Sequence, residues 1–478
     1  MRKIKNWPSL CILLLTVLLL GFTTSCQKDQ LVSGSTVSLY NETDSLQFDE
    51  VFTTQPQPTQ QVKIFNGSEG TVSINNIKLA GGSKSPFKIN VNGQAGTDFS
   101  NLNLAKNDSL YVFVTVTLPE HDKDTPFDVL DSIEYQYGNK TGKIILSATG
   151  INAFYLPGGN ISHDTTWTDQ RPIVISGNIT VAEGATLQIK PGAQIYTKAG
   201  KGILINGRLE ALGSADSAAQ ILMTGSRLDA PYNNMPGSWQ GLNFGPSSKN
   251  NHLTFVHLYN AVNAISDTDK PISGFNVLTT SAISLNNCII MQSAKEALLF
   301  RHSSATISNC LIYNSGMAIR AMGGSYSLQY LTLAGYSNDY IYHTNPLLYL
   351  ADHNGQGNQD PLLLSATNCI ITGDNDALDE LAVDNVYNQF TLSFQNDLIK
   401  AVNLPSIGTF TNCLLNVDPA FTLVDNRSST YDFQPLSISS VIASAKPIQG
   451  ITADLLGRLR DPSAPTIGCY EFKEATTP

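Results

Sequence analysis

The chain of 478 residues is poor in charge: 14% of it is Asp, Glu, Lys or Arg, against roughly 25% in an average globular chain. Cations are the scarcer sign, 29 Lys and Arg against 39 Asp and Glu, for a net charge of −10. That balance excludes nucleic-acid binding by any broad basic surface. Past the N-terminus no window holds the roughly eighteen apolar residues of a spanning helix. No stretch keeps an apolar i, i+3, i+4, i+7 pattern either, which argues against strands alternating with helices. Ser, Thr, Asn, Gly and Gln fill the gap, the texture of extracellular β proteins.

The N-terminus carries the one long apolar run. Arg2, Lys3 and Lys5 precede an apolar core from Leu10 to Phe22, about the length of a secretory signal core and short for a membrane span. Small residues then lead into Cys26 as Thr-Thr-Ser-Cys, which resembles a lipobox of the looser Bacteroidota type. The resemblance implies removal of residues 1–25, lipidation of Cys26, a tether over 26–35, and a body held to a membrane by its lipid. Gln27-Lys28-Asp29-Gln30 is similar to the short signal that sends such lipoproteins to the outer cell face, with a single acid after the lysine. The expected address is the outer membrane, facing outward.

Seven cysteines are present, and without Cys11 and Cys26 five remain, an odd number that leaves a thiol unpaired. Cys288, Cys310, Cys369 and Cys413 each follow an Asn and precede two aliphatic residues; Cys288 to Cys310 is 22 residues and Cys369 to Cys413 is 44. A period of this size marks a repeat architecture, and no pair has the spacing of a zinc site. The expectation is a structural stack, one small apolar thiol per coil, with each Asn at a bend in the left-handed region. The residue after each Cys (Ile289, Leu311, Ile370, Leu414) then faces outward as an aliphatic stripe, either a contact surface or a face covered by the insertion 343–361 or by the C-terminal segment.

Short strand-like runs separated by Asn, Gly and Ser fill 171–425, as in GNITVAEGATLQIKPGAQIYTKAG (177–200). They predict an all-β chain whose larger part is a right-handed parallel β-helix of roughly eleven coils at about 4.8 Å rise. Residues 36–152 alternate at longer spacing and predict an antiparallel Ig-like β-sandwich without a disulfide, followed by a linker over 153–170. Residues 426–478 form a C-terminal capping segment.

DSLQFDEVFTT, KIFN, IKLAGGSKSPFKINVNG and NDSLYVFVTVTL resemble a Hydin-like Ig-fold module of Bacteroidota lipoproteins. In that family the module precedes a right-handed β-helix of pectate-lyase-like fold. VAEGATLQIKPGAQI and PGSWQGLNFGPSSKNNHL are similar to its first coils, and GRLRDPSAPTIGCYEF resembles its closing Gly-Ala-Tyr-Glu segment, with Cys469 in place of the alanine. The resemblance implies architecture and brings no activity with it.

Chemistry-bearing patterns are few. Asp374, Asp376, Asp379 and Glu380 form the densest acidic stretch, a candidate for Ca²⁺ that lacks EF-hand spacing and reads more plainly as a solvated loop. No other cofactor is implied. Arg301-His302 and Arg320 sit about one coil apart and would line one edge, a satisfied surface on the plainer reading. Asp-Ser/Thr triplets at Ser45, Ser109, Ser132, Thr165 and Ser217 resemble an O-glycosylation sequon of Bacteroidota envelope proteins. No catalytic triad is legible. The sequence therefore leads to the expectation of a surface lipoprotein that binds a polysaccharide or host glycan along its β-helix. A degenerate polysaccharide lyase or hydrolase is the alternative, and an adhesin or envelope-structural protein a third.

Overall fold

The computed structural model describes residues 31–32, 37–267, 283–354 and 356–474. The signal segment and Cys26 lie outside the described residues. The chain divides into two compact units, one ending at Ile151 and the other starting at Asn152. Both are built of strands; the described helical segments are three 3-10 turns, at Gly82–Lys84, Ser217–Ala219 and Tyr232–Asn234. Among the described residues no helix is long and apolar enough to cross a membrane.

The first unit closes two sheets on one core. One has the order Leu39–Asn41, Gln60–Asn66, Ser109–Val116, Phe87–Val91, Gln94–Gly96; the other runs Leu31–Val32, Thr71–Leu79, Phe127–Tyr137, Lys140–Ile151, Ser45–Phe52, with Asp98–Leu104 beside Thr71–Leu79. Alternation supplies the inner face, as in Ser109–Val116, where Leu110, Val112, Val114 and Val116 are all buried. An all-antiparallel arrangement is not what forms. Ser45–Phe52 pairs with Lys140–Ile151 in parallel, and Leu31–Val32, inside the expected tether, pairs in parallel with Thr71–Leu79.

The second unit is a stack of parallel strands in an 11-stranded and a 17-stranded sheet. Ile290 pairs with Ile312, Ile312 with Leu333, Leu333 with Ile371, and Ile371 with Ile399. All five side chains are fully buried, forming one aliphatic column along the core. The stack begins earlier than the sequence reading placed it. Phe154–Leu156, Gly159–Ile161 and Thr165–Trp167 already pair in parallel with strands one turn on, so 153–170 is the first turn of this unit and not a linker. Its short strands, three residues each, are too brief to show an alternating pattern.

Cys288, Cys310 and Cys369 are buried in this core, and Cys413, in the last turn, is half-buried; all are free thiols. The Cys288 amide donates to Cys310 Sγ at 3.4 Å. The preceding residues Asn287, Asn309, Asn368 and Asn412 have φ of 53°, 51°, 62° and 54°, a region Asn tolerates better than other side chains.

The aliphatic stripe is covered. Leu311 and Ile370 are 4% and 2% exposed, and they share a cluster with Phe421, just before the C-terminal segment, and with Phe433, Val441, Leu455, Ile467 and Cys469 of that segment. That segment lies along the outer face of the 11-stranded sheet. Its anchors are the bend asparagines: Asn287 Nδ2 donates to the Asp454 carbonyl (2.7 Å), Asn309 Nδ2 to Ala453 (2.9 Å) and Asn368 Nδ2 to Lys446 (2.7 Å). Buried Arg460 completes the seam. It stacks 3.8 Å over the Tyr330 ring, donates to Asn309 Oδ1 and the Gly468 carbonyl at 2.9 Å each, and pairs with Glu471.

Candidate functional site

The outward side of Leu242–Phe244, Ile265–Asp267, Glu296–Ser308, Met317–Gln329, Leu348–Ala351 and Leu381–Asp384 in the 17-stranded sheet carries the polar constellation. Asn243, Ser266, Leu299, Arg320 and Tyr349 occupy one outward row across successive strands: Asn243 is in register with Ser266, Leu299 with Arg320, and Arg320 with Tyr349. A second row runs Arg301, Met322, Ala351, Asp384. Neighbouring strands bring these side chains about 4.8 Å apart, so residues far apart in sequence become neighbours in space.

Arg320 lies with its guanidinium 4.9 Å from the Tyr349 ring centroid, and its Nη1 is 3.4 Å from Glu296 Oε1. The other Glu296 oxygen accepts from Asn263 Nδ2 at 2.9 Å. The Tyr349 hydroxyl donates to Asp384 Oδ2 at 2.7 Å, and His353 Nε2 lies 3.1 Å from the same oxygen. Five side chains from four turns thus form one continuous chain, Glu296–Arg320–Tyr349–Asp384–His353. Tyr349 packs on an apolar floor of Leu299, Met322 and Ala351.

The electrostatics follow from these contacts. The Tyr349 hydroxyl and His353 hold the Asp384 carboxyl below its ordinary range. Burial, then the bond to Asp384, pushes the Tyr349 hydroxyl up to about 12, so it is a donor at all physiological pH. The Asn354 carbonyl, 3.0 Å from His353 Nδ1, and then Asp384 raise the imidazole above its usual value. Acceptors at both ring nitrogens favour the doubly protonated form.

A groove of about 520 Å³ adjoins this chain on the same face. Thr180, Leu204, Gln240, Asn243, Asn263, Ser266 and Arg301 line it. Asn243 Nδ2 donates to Ser266 Oγ (3.0 Å), and Arg301 Nη1 to the Asp267 carbonyl (2.7 Å). Arg301 and Arg320 share the face, while His302 turns inward at a bend (φ 52°) and its Nδ1 meets buried Asp360 at 2.6 Å.

The acidic stretch disperses. Asp374 accepts from the Ser337 amide (2.8 Å) and Asn426 (3.0 Å), Asp376 pairs with Lys400 (2.8 Å), and Asp379 accepts from the Asn403 amide (2.8 Å). Glu380 is fully buried against His343 (2.8 Å), its carboxyl pushed up by burial. In-register Gly335 and Gly373 make room for that pair, since a Cβ on either would strike it. Asp374 and Asp376 border a second groove of about 620 Å³ with Lys400, Tyr336 and Asp418. Among the described residues no group of three His, Cys, Asp or Glu side chains is placed to hold a metal ion.

The sequon serines fall in varied places. Ser45 and Ser217 are exposed and Ser109 and Thr165 half-buried, but Ser132 is 5% exposed inside Phe127–Tyr137. A glycosyltransferase cannot reach Ser132 in the folded chain. The acids of these triplets have local roles: Asp108 accepts from the Ser109 amide, Asp164 from Thr186, and Asp216 caps Ala218.

Sequence reasoning missed Glu296, Tyr349, His353 and Asp384. Glu296 to Arg320 is 24 residues and Tyr349 to Asp384 is 35; insertions between strands of unequal length erase the fixed period that exposed the cysteines.

No family model matches this chain, and no curated protein matches it. Among solved structures it is similar to a family 123 glycoside hydrolase from Clostridium perfringens at 13% identity and a TM-score of 0.18, over 24% of this chain and 26% of that one. It is similar to a PapD-like domain of human CEP192 at 12% identity and a TM-score of 0.17, over 27% and 96%. A pilin subunit, CooA, from enterotoxigenic Escherichia coli stands at 12% and 0.17, over 24% and 98%. The chain thus spans about a quarter of the hydrolase's length, and likenesses of this size transfer neither fold nor activity.

Proposed function

We propose that this is a lipoprotein of the outer cell surface whose second unit, a right-handed parallel β-helix, binds an extended glycan, with an Ig-like first unit as spacer. The observation that carries the reading is the polar outward row itself. Amides, a hydroxyl, carboxylates and an arginine–tyrosine pair are spaced by the strand repeat beside a groove of about 520 Å³. Sugar hydroxyls need both donors and acceptors, and a repeating ligand profits from a repeating surface. Three measurements test it. Replacing Cys26→Ala should move the protein from the membrane fraction to the soluble one; unchanged membrane association contradicts the lipid anchor. In affinity electrophoresis across a polysaccharide panel, at least one gel should retard the protein, and retardation in none contradicts glycan binding. Native protein should also carry hexoses on one or more of Ser45, Ser109, Thr165 and Ser217, and an unmodified intact mass ends that part of the proposal.

A second reading has its own support. Two carboxylates, a tyrosine, a histidine and an arginine share one outer face, the residue types from which a glycan-cleaving enzyme draws its acid and base. New reducing ends or unsaturated products from any retarding polysaccharide, lost in Asp384→Asn, would establish it; intact polymer after long incubation leaves binding alone.

A further inference from the structure

We infer that one outer face of the first unit seats it on an anionic lipid surface, an inference that rests on the lipid-anchor reading above. The face belongs to the sheet Leu39–Asn41, Gln60–Asn66, Ser109–Val116, Phe87–Val91, Gln94–Gly96. Register assembles it. Tyr40 is opposite Phe65, Lys63 opposite Tyr111, and Lys88 opposite Thr115, while Val62, Ile64, Leu110 and Val112 point into the core. Tyr40 stacks on Phe65 with ring centroids 5.2 Å apart, Tyr111 on Phe113 at 6.1 Å, and Lys63 Nζ lies 5.2 Å from the Tyr111 centroid. Tyr40 is 55% exposed and Tyr111 38%. A sheet face turned to water is ordinarily polar, yet this one carries four rings.

Charge separates this sheet from the one packed behind it. Its five strands contain no Asp or Glu, and Lys63 and Lys88 are their only charged residues. The strands of the other sheet hold Asp49, Glu50, Asp98, Asp128, Asp131 and Glu134. Glu42 and Asp108 stand just past strand ends, at the rim. On a chain of net charge −10, an acid-free sheet with two lysines is complementary to headgroup phosphates. Tyrosine and lysine suit a bilayer boundary, where the ring or stem is sheltered and the polar tip stays wet. A protein partner fits less well, because lysine is depleted from interface cores. The tether adds its own constraint. Cys26 is five residues from Leu31, which is already paired in the first unit, so an extended tether spans at most about 17 Å. With the two sheets about 10 Å apart, a lipid on Cys26 keeps this face within reach of the bilayer.

The test sediments the protein from Gln27 onward, which carries no lipid chain, with vesicles of phosphatidylethanolamine and phosphatidylglycerol at low salt. The inference expects co-sedimentation that falls about fivefold or more in Tyr40→Ser with Tyr111→Ser, and likewise in Lys63→Glu with Lys88→Glu. It should persist in Leu130→Ser, where a 73% exposed side chain is removed from the other sheet. Thermal melts confirm that each variant folds. Absence of wild-type co-sedimentation, or equal co-sedimentation of all variants, overturns the inference. So does a wild-type dimer in gel filtration that Tyr40→Ser with Tyr111→Ser converts to monomer, which gives the face to a second copy. The anchor reading is judged separately by Cys26→Ala in cells, so either can fail while the other stands.

Discussion

The two outer faces of the parallel unit start from the same local chemistry and end differently. Both present apolar side chains outward: Leu311, Ile370 and Leu398 on the 11-stranded sheet, and Leu299 and Met322 on the 17-stranded one. On the first, the chain's own C-terminal segment takes the place of solvent, anchored through the bend asparagines and Arg460. On the second, the outward rows pass into Asn243, Ser266, Arg320, Tyr349 and Asp384. Covered apolar rows contribute stability; a half-buried polar row offers groups to a ligand. The difference separates residues that hold the fold from residues that face a partner.

That contrast predicts unequal costs for mutation. The largest falls on the covered face. Arg460→Ala removes the partner of buried Glu471 and the clamp on Asn309, and should cost about 3–5 kcal/mol in urea unfolding. Ile370→Ala, in the same interface, should cost about 2–4 kcal/mol by the same measurement. Arg320→Ala on the polar face, where the Glu296 pair is long and partly solvated, should cost under about 1 kcal/mol. A cost for Arg320 equal to that of Arg460 would erase the distinction between the faces.

A pH effect sharpens the structural side. Asp397 accepts from the Cys369 amide at 2.6 Å at the edge of the covered sheet, and burial lifts its carboxyl from 3.8 to about 7. Its folded pKa is raised, so the folded state binds the proton more tightly, and stability falls as pH rises from about 4 to about 7. Asp397→Asn keeps an oxygen for the Cys369 amide and removes the titration. Its stability should be flatter across that window and exceed wild type at pH 8, as thermal melts at several pH values will show. The smallest effect belongs to His353, which is half-buried at the end of the polar chain. Its pKa is raised, so the support it lends is full below about 6.5 and fades as pH rises through its folded value. His353→Ala should therefore lose a few tenths of a kcal/mol at pH 5.5 and almost nothing at pH 8.

Much of the scaffold is legible from local pattern. The Asn-Cys pattern is visible because a left-handed bend recurs and a thiol follows it at Asn287, Asn309, Asn368 and Asn412, while Tyr330 and Asn396 bend in the same way before Leu331 and Asp397. The stripe at Leu311 and Ile370 is visible because its register follows from the neighbouring cysteine. Parallel pairing of Ser45–Phe52 is not, since alternation reads the same in either strand direction. Nor is the Glu296–Arg320–Tyr349–Asp384–His353 chain. Its members meet only after insertions of unequal length fold out of the way, and Tyr349 and Asp384 look like ordinary strand and turn residues until Ala351 and Asp384 come into register.

The most direct test of the account probes a printed oligosaccharide array with wild type, Tyr349→Ala and Leu459→Ala. Tyr349 is central to the polar face, and Leu459, 71% exposed, lies on the covering segment. The account predicts that wild type and Leu459→Ala bind the same glycans and that Tyr349→Ala loses them. Binding that survives Tyr349→Ala, or that disappears only with Leu459→Ala, would place recognition on the covered side and contradict it.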